Sequence, residues 1–179
     1  QMSRAPVIAS HSGARAVYDH PRNLTDELLE AIRDNGGVAQ MVAFRSYLRA
    51  IDPGLTAAIA ELRTEVGLDQ PGGWERMTPE TRASFQQRVA ELRASFPDAT
   101  VADMADHIDH AVAVAGIDHV GIVSDFDGGG GVRGWDDASE TPNVTAELLR
   151  RGYSEEDIAK LWGGNVLRVM RGVEAAAVR

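Results

Sequence analysis

The sequence predicts an α/β fold built on a parallel sheet, and three observations carry that expectation. Short apolar runs at Pro6–Ala9, Val38–Phe44 and His119–Val123 have the length of buried strands. Between them lie longer stretches with apolar residues at helical spacing. Gly and Asn punctuate the junctions, as at Asn35, Gly36, Gly37 and Gly116. Strands alternating with helices imply crossover connections and a parallel sheet, either a barrel or a doubly wound sheet.

The first strand ends in Ser10, His11, Ser12 and Gly13, and only a short lead precedes it, which points to a piece of a larger fold. Thr25 is a natural N-cap for an amphipathic helix over Asp26–Asp34, with Leu28, Leu29 and Ile32 at helical spacing. The second strand follows its glycine pair. From Leu48 to Phe96 the pattern turns helical, broken at Asp69–Gly73 and restarted at Thr78, Pro79 and Glu80, and reads as an inserted helical hairpin. Thr100 caps a further helix that runs to Ala115, with Met104, Ile108, Ala111, Val112 and Ala115 on one face. A Gly- and Asp-rich stretch, Gly128–Asp137, follows the third strand and reads as a mobile loop. Two short helices come next, over Asn143–Arg151 and from Ser154, where Asp157 makes only a partial capping box.

Composition limits the chemistry. The chain has 179 residues, enough for one ordinary core, and 44% of them are apolar. A formal charge of -9 without a basic patch excludes nucleic acid and anionic membrane surfaces as partners. Zero cysteines exclude disulfides, thiolate metal ligands and a thiol nucleophile, so any metal falls to His, Asp or Glu. No apolar run reaches the length of a bilayer span, and the compartment stays open because a leader could have been removed.

Functional groups in parallel α/β folds gather at the carboxyl ends of strands. His11 ends the first strand and Asp125 the third, in the phrase Ser124, Asp125, Phe126, Asp127, Gly128. A carboxylate there can act as metal ligand, general base or nucleophile, or can simply close an Asx turn. Arg22, in the loop after His11, offers a planar guanidinium that grips a carboxylate through two parallel hydrogen bonds, although most loop arginines face water. His107 and His110 are three apart, a spacing that can present two ligands to a metal. With Asp106 and Asp109 beside them they read better as a solvated or capping pair. His20 and His119 read as structural.

These motifs resemble the membrane (renal) dipeptidase family of the amidohydrolase superfamily. The likeness lies in Pro6–Asn23 with its Asp19-His20-Pro21-Arg22-Asn23, in Asp106–Gly128, and in Pro142–Arg171 with Leu148-Leu149-Arg150-Arg151-Gly152-Tyr153. The resemblance implies the C-terminal part of a (β/α)₈ barrel, about strands six to eight, with residues 48–97 as the insertion; a full barrel takes about 250 residues. It implies hydrolysis of dipeptides by two zinc ions bridged by a hydroxide that attacks the peptide carbonyl. His11 would then be a zinc ligand, Asp125 the acid and base, and Arg22 the holder of the substrate carboxylate. The partners so implied are a dipeptide, a missing N-terminal half of the barrel and, in some assemblies, a second copy of the chain. The other zinc ligands of the family have no counterpart here, so the chain alone is expected to hold metal weakly. Two rivals remain: a noncatalytic half-barrel that needs a partner chain, and a haloacid-dehalogenase-like phosphatase. The second wants a Thr after the glycine of its aspartate motif, where Gly129 stands, and an acidic loop downstream of Lys160, which is absent.

Overall fold

The computed structural model describes residue 3 and residues 5–177. It divides into two compact units, one formed by Gln1–Arg49 with Ala99–Arg179, the other by Ala50–Asp98.

The first unit is built on three parallel strands in sequential order, β1 (Ile8–Ser12), β2 (Val38–Val42) and β3 (Val120–Val123). All three are shorter than or offset from the apolar runs. Pro6 and Val7 precede the range of β1, Ala43 and Phe44 lie beyond that of β2, and Ile117–His119 form a 3₁₀ turn before β3. Between β1 and β2, Ala9 pairs with Ala39 and Ser12 with Met41. The first strand therefore advances three residues while the second advances two. This bulge falls at Ser10 and His11 and turns the end of β1, a common device beside functional sites.

One face of the sheet is covered by α1 (Asp26–Asp34) and α6 (Val101–Ala115), and α7 (Thr141–Arg150) packs on α6. Leu29, Ile32, Met104, Ile108, Ala111, Val144 and Leu148 join Ala39, Met41, Val120 and Ile122 in one buried cluster. Strand alternation sends Val38, Gln40 and Val42 to the opposite face. Local signals explain the helices. Thr25 accepts the Leu28 N–H, and Thr100 and Asp103 form a reciprocal capping box. Ser154 and Asp157 close a complete box at α8 (Glu155–Ala159), where only a partial one was expected, because the Asp157 carboxylate reaches both the backbone N–H and the hydroxyl of Ser154. A π-type turn, Lys160–Gly164, leads into α9 (Asn165–Ala177). Arg151 ties α7 to α6 through Glu147 (2.7 Å), Asp106 (2.7 Å) and Asp109 (2.5 Å). Hydrogen bonds from Arg150 and Arg151 hold the Glu147 carboxyl down at about 2.

The second unit is helical. A short α2 (Arg45–Leu48) ends the first unit's segment; α3 (Pro53–Glu65), α4 (Gly73–Arg76) and α5 (Pro79–Ala94) follow. Asp52 and Thr78 cap the two long helices, each with a proline in the first turn. Leu62, Leu68 and Phe85 form their small core, and Arg88 bonds Glu65 through both nitrogens at 2.6 Å.

Candidate active site

Because the sheet is parallel, β1 and β3 deliver their carboxyl ends to the same end of the sheet, and those ends carry the residues singled out from sequence. With strands about 4.8 Å apart, β1 and β3 lie roughly 10 Å from each other across β2.

His11 sits in the bulge, with Ser10 Oγ 2.7 Å from Nδ1 and Arg22 Nη2 3.2 Å from Nε2. A guanidinium only donates, so Nε2 must accept and the ring proton lies on Nδ1, given to Ser10. The free lone pair of His11 thus points at a cation. Arg22 reaches this position from the loop between β1 and α1. That loop is closed at its neck by the Leu24 N–H donating to Gly13 O (2.8 Å) and the Arg15 N–H donating to Leu24 O (2.7 Å). The Arg22 guanidinium lies over the Tyr47 ring, 5.7 Å from its centroid, and the Arg22 N–H donates to His20 Nδ1 at 3.2 Å. His20 and Phe44 flank Tyr47, each with its centroid 4.6 Å away.

Asp125 follows β3 in a left-handed conformation, φ 56° and ψ 36°. Asp tolerates this region better than most residues. The backbone then wraps tightly around it. Gly128 and Gly130 donate their N–H groups to the Asp125 carbonyl at 3.0 and 2.7 Å, and a Cβ on Gly128 would collide with the Asp125 carboxylate. Gly131 N–H continues to Ala43 O (2.7 Å) and Arg133 N–H to Ala99 O (2.9 Å). The stretch expected to be a mobile loop is therefore pinned by its own backbone to the ends of neighbouring segments.

Two histidine readings need correction. His107 is neither solvated nor a cap: it is completely buried, and burial pushes its pKa below the ordinary histidine value. His110 bonds Asp26 at 2.7 Å, while Asp106 and Asp109 serve Arg151. Residue 107 falls three after Met104 and four before Ala111, inside the apolar stripe of α6. That spacing was the signal for its burial. Asn23, Tyr47 and Phe44 were also passed over; for Asn23 the only cue was its place at the end of the Asp-His-Pro-Arg-Asn phrase.

Among the described residues no group of three or more His, Asp or Glu side chains could hold a metal ion. A catalytic zinc takes three protein ligands. His11 contributes one imidazole, whose Nε2 here accepts from Arg22, so this chain by itself does not fit a zinc centre. Among the described residues no helix is long and apolar enough to cross a membrane.

Dipeptidase ataJ of Aspergillus terreus is 35% identical over 179 residues, covering 99% of this chain and 33% of that protein. The chain spans about a third of the length of the curated relatives it matches. The crystal structure of the probable dipeptidase PvdM from Pseudomonas aeruginosa superposes with a TM-score of 0.73 at 43% identity, over 97% of this chain and 46% of that one. A metallopeptidase from Rhodobacter sphaeroides, liganded with a phosphinate mimic of the dipeptide L-Ala-D-Ala, superposes with a TM-score of 0.66 at 26% identity, over 95% of this chain and 37% of that one. The family profile "Membrane dipeptidase (Peptidase family M19)" matches residues 1–179, and the chain belongs to that family.

Proposed function

We propose that the protein carrying this chain is a zinc-dependent dipeptidase, and that the chain supplies strands six to eight of its (β/α)₈ barrel with residues 48–97 as a helical insertion. The observation that carries the reading is that in a family member an imidazole, a guanidinium and a carboxylate, those of His11, Arg22 and Asp125, belong to residues at the same end of a parallel sheet. The relatives' greater length and the compact helical unit Ala50–Asp98 support the division.

The substrate class follows from scale. An extended dipeptide spans about 7 Å, at 3.3–3.6 Å per residue, and fits the roughly 10 Å between β1 and β3. The Rhodobacter sphaeroides relative is liganded with a phosphinate mimic of a dipeptide, which supports a substrate of that class. In this reading Arg22 turns from the His11 lone pair to the substrate's terminal carboxylate, a charge-assisted pairing worth about 1.5–3 kcal/mol. His11 would lend Nε2 to one of two zinc ions, both held mainly by residues outside this chain. Zinc, when bound, acidifies coordinated water and polarises a carbonyl. Asp125, held in place by its glycine wrap, takes a proton from the attacking water and returns it to the leaving amine.

The test uses the full-length protein loaded with zinc. It should hydrolyse dipeptides with a free carboxylate. Asp125→Asn should lower kcat by about 10²–10⁴-fold with zinc content unchanged, and Arg22→Ala should raise KM by roughly tenfold to a hundredfold. Full turnover in the Asp125 variant would refute its role, and absence of hydrolysis by the zinc-loaded protein would leave the noncatalytic half-barrel.

A further inference from the structure

Two buried polar side chains have no part in the chemistry above. Asn23 and His107 are 2% and 0% exposed, and both face the neck of the loop that carries Arg22. His107 Nδ1 accepts the Ala14 N–H at 2.9 Å, so that nitrogen bears no proton. Its Nε2 therefore bears one and donates it to the Leu48 carbonyl at 3.2 Å. A single neutral tautomer satisfies both bonds. Asn23 Oδ1 accepts the Gly13 N–H at 2.9 Å, and its amide donates to the carbonyls of Tyr18 (2.9 Å) and Tyr47 (2.7 Å). Gly13 lies between the two side chains: a Cβ there would stand 2.6 Å from Asn23 Oδ1 and 2.9 Å from His107 Nδ1.

Backbone groups of the loop and of α2 are thus bound to two side chains shielded from water, where hydrogen bonds are strong and costly to break. What they hold in place is Arg22. It immediately precedes Asn23 in the chain, and its guanidinium rests on the ring of Tyr47, whose carbonyl Asn23 also binds. One amide therefore joins the loop that carries the arginine, at Gly13 and Tyr18, to the backbone of the platform under its head.

We propose that Asn23 and His107 are positioning residues that set where the Arg22 guanidinium stands relative to His11, and hence where a substrate carboxylate is gripped. An arginine in an unsupported loop gives up about 2 kcal/mol of rotamer freedom on binding. A guanidinium already seated on the Tyr47 ring has lost part of that freedom beforehand, and the clamp keeps that ring and the loop in register. Misplacement by about 1 Å is enough to cost up to 10²-fold. The inference rests on the carboxylate-binding reading of Arg22, and its test separates the two.

In the full-length zinc-loaded protein, Asn23→Ala, His107→Gln and Gly13→Ala are each assayed with a dipeptide and with the same dipeptide amidated at its carboxyl terminus. The expected result is a roughly tenfold rise in KM for the free acid with little change in kcat, no change in kcat/KM for the amide, and no further rise when the substitution is added to Arg22→Ala. A folded variant with unchanged KM, or an effect that adds fully to that of Arg22→Ala, would overturn the proposal while leaving the role of Arg22 standing. An unchanged KM in Arg22→Ala itself would overturn both. Should none of the three variants fold, amide exchange in the unmutated protein decides: Gly13 and Ala14 must exchange as slowly as the amides of β2, and exchange as fast as at Gly129 overturns the clamp.

Discussion

His107 shows how much a single residue reveals once its surroundings are known. Burial lowers its pKa first of all, with His110 pushing the same way and the Leu48 hydrogen bond, Asp106 and Asp103 pulling back. A folded-state value below the unfolded one of about 6.5 means that the unfolded chain binds the extra proton first. The neutral ring therefore stabilises the fold fully above about pH 6.5, and that contribution is lost as pH falls through the lower folded value. Denaturant unfolding across this range should show stability falling with acidification, and His107→Gln should flatten the slope. Equal slopes in the two proteins would show that His107 stays unlinked to folding. Asp125 teaches a different lesson. Its place at a strand end was legible in the sequence, but its left-handed backbone was not, since that conformation is set by the close approach of Gly128 and Gly130.

At the level of elements, the helices that begin with their own signals were read to within a residue. Thr25 and Thr100 cap α1 and α6 as expected because a cap needs only the next three residues. The strands were read less sharply, because a strand ends where its neighbour ends. β1 shifts onto Ser10–Ser12 because it pairs through a bulge, and nothing in an apolar run announces one. The clamp on the arginine loop was hidden for the same reason, as His107 bonds a residue 93 positions away. Among the elements α6 matters most: it fills the space over the sheet with Met104, Ile108 and Ala111, none of them exposed. Ile108→Ala should cost about 2–5 kcal/mol in chemical denaturation. A loss under about 1 kcal/mol would mean that the cavity collapses and that α6 is not the packed centre.

For the molecule as a whole, the α/β class and the family were legible because the residues that carry them are clustered in short phrases, Asp19–Asn23 and Ser124–Gly128 above all. The metal centre was not, since it needs more ligands than the described residues bring together. In the proposed reading the site is shared between distant parts of a barrel, which leaves only fragments of its pattern in any one stretch of chain. The most direct measurement is a crystal structure of the full-length protein with zinc and a phosphinate dipeptide mimic. The expected result has the mimic's carboxylate on Arg22, the imidazole of His11 on metal, and Asp125 beside the phosphinate. A mimic bound away from Arg22, or His11 and Asp125 facing opposite ends of the sheet, would contradict it.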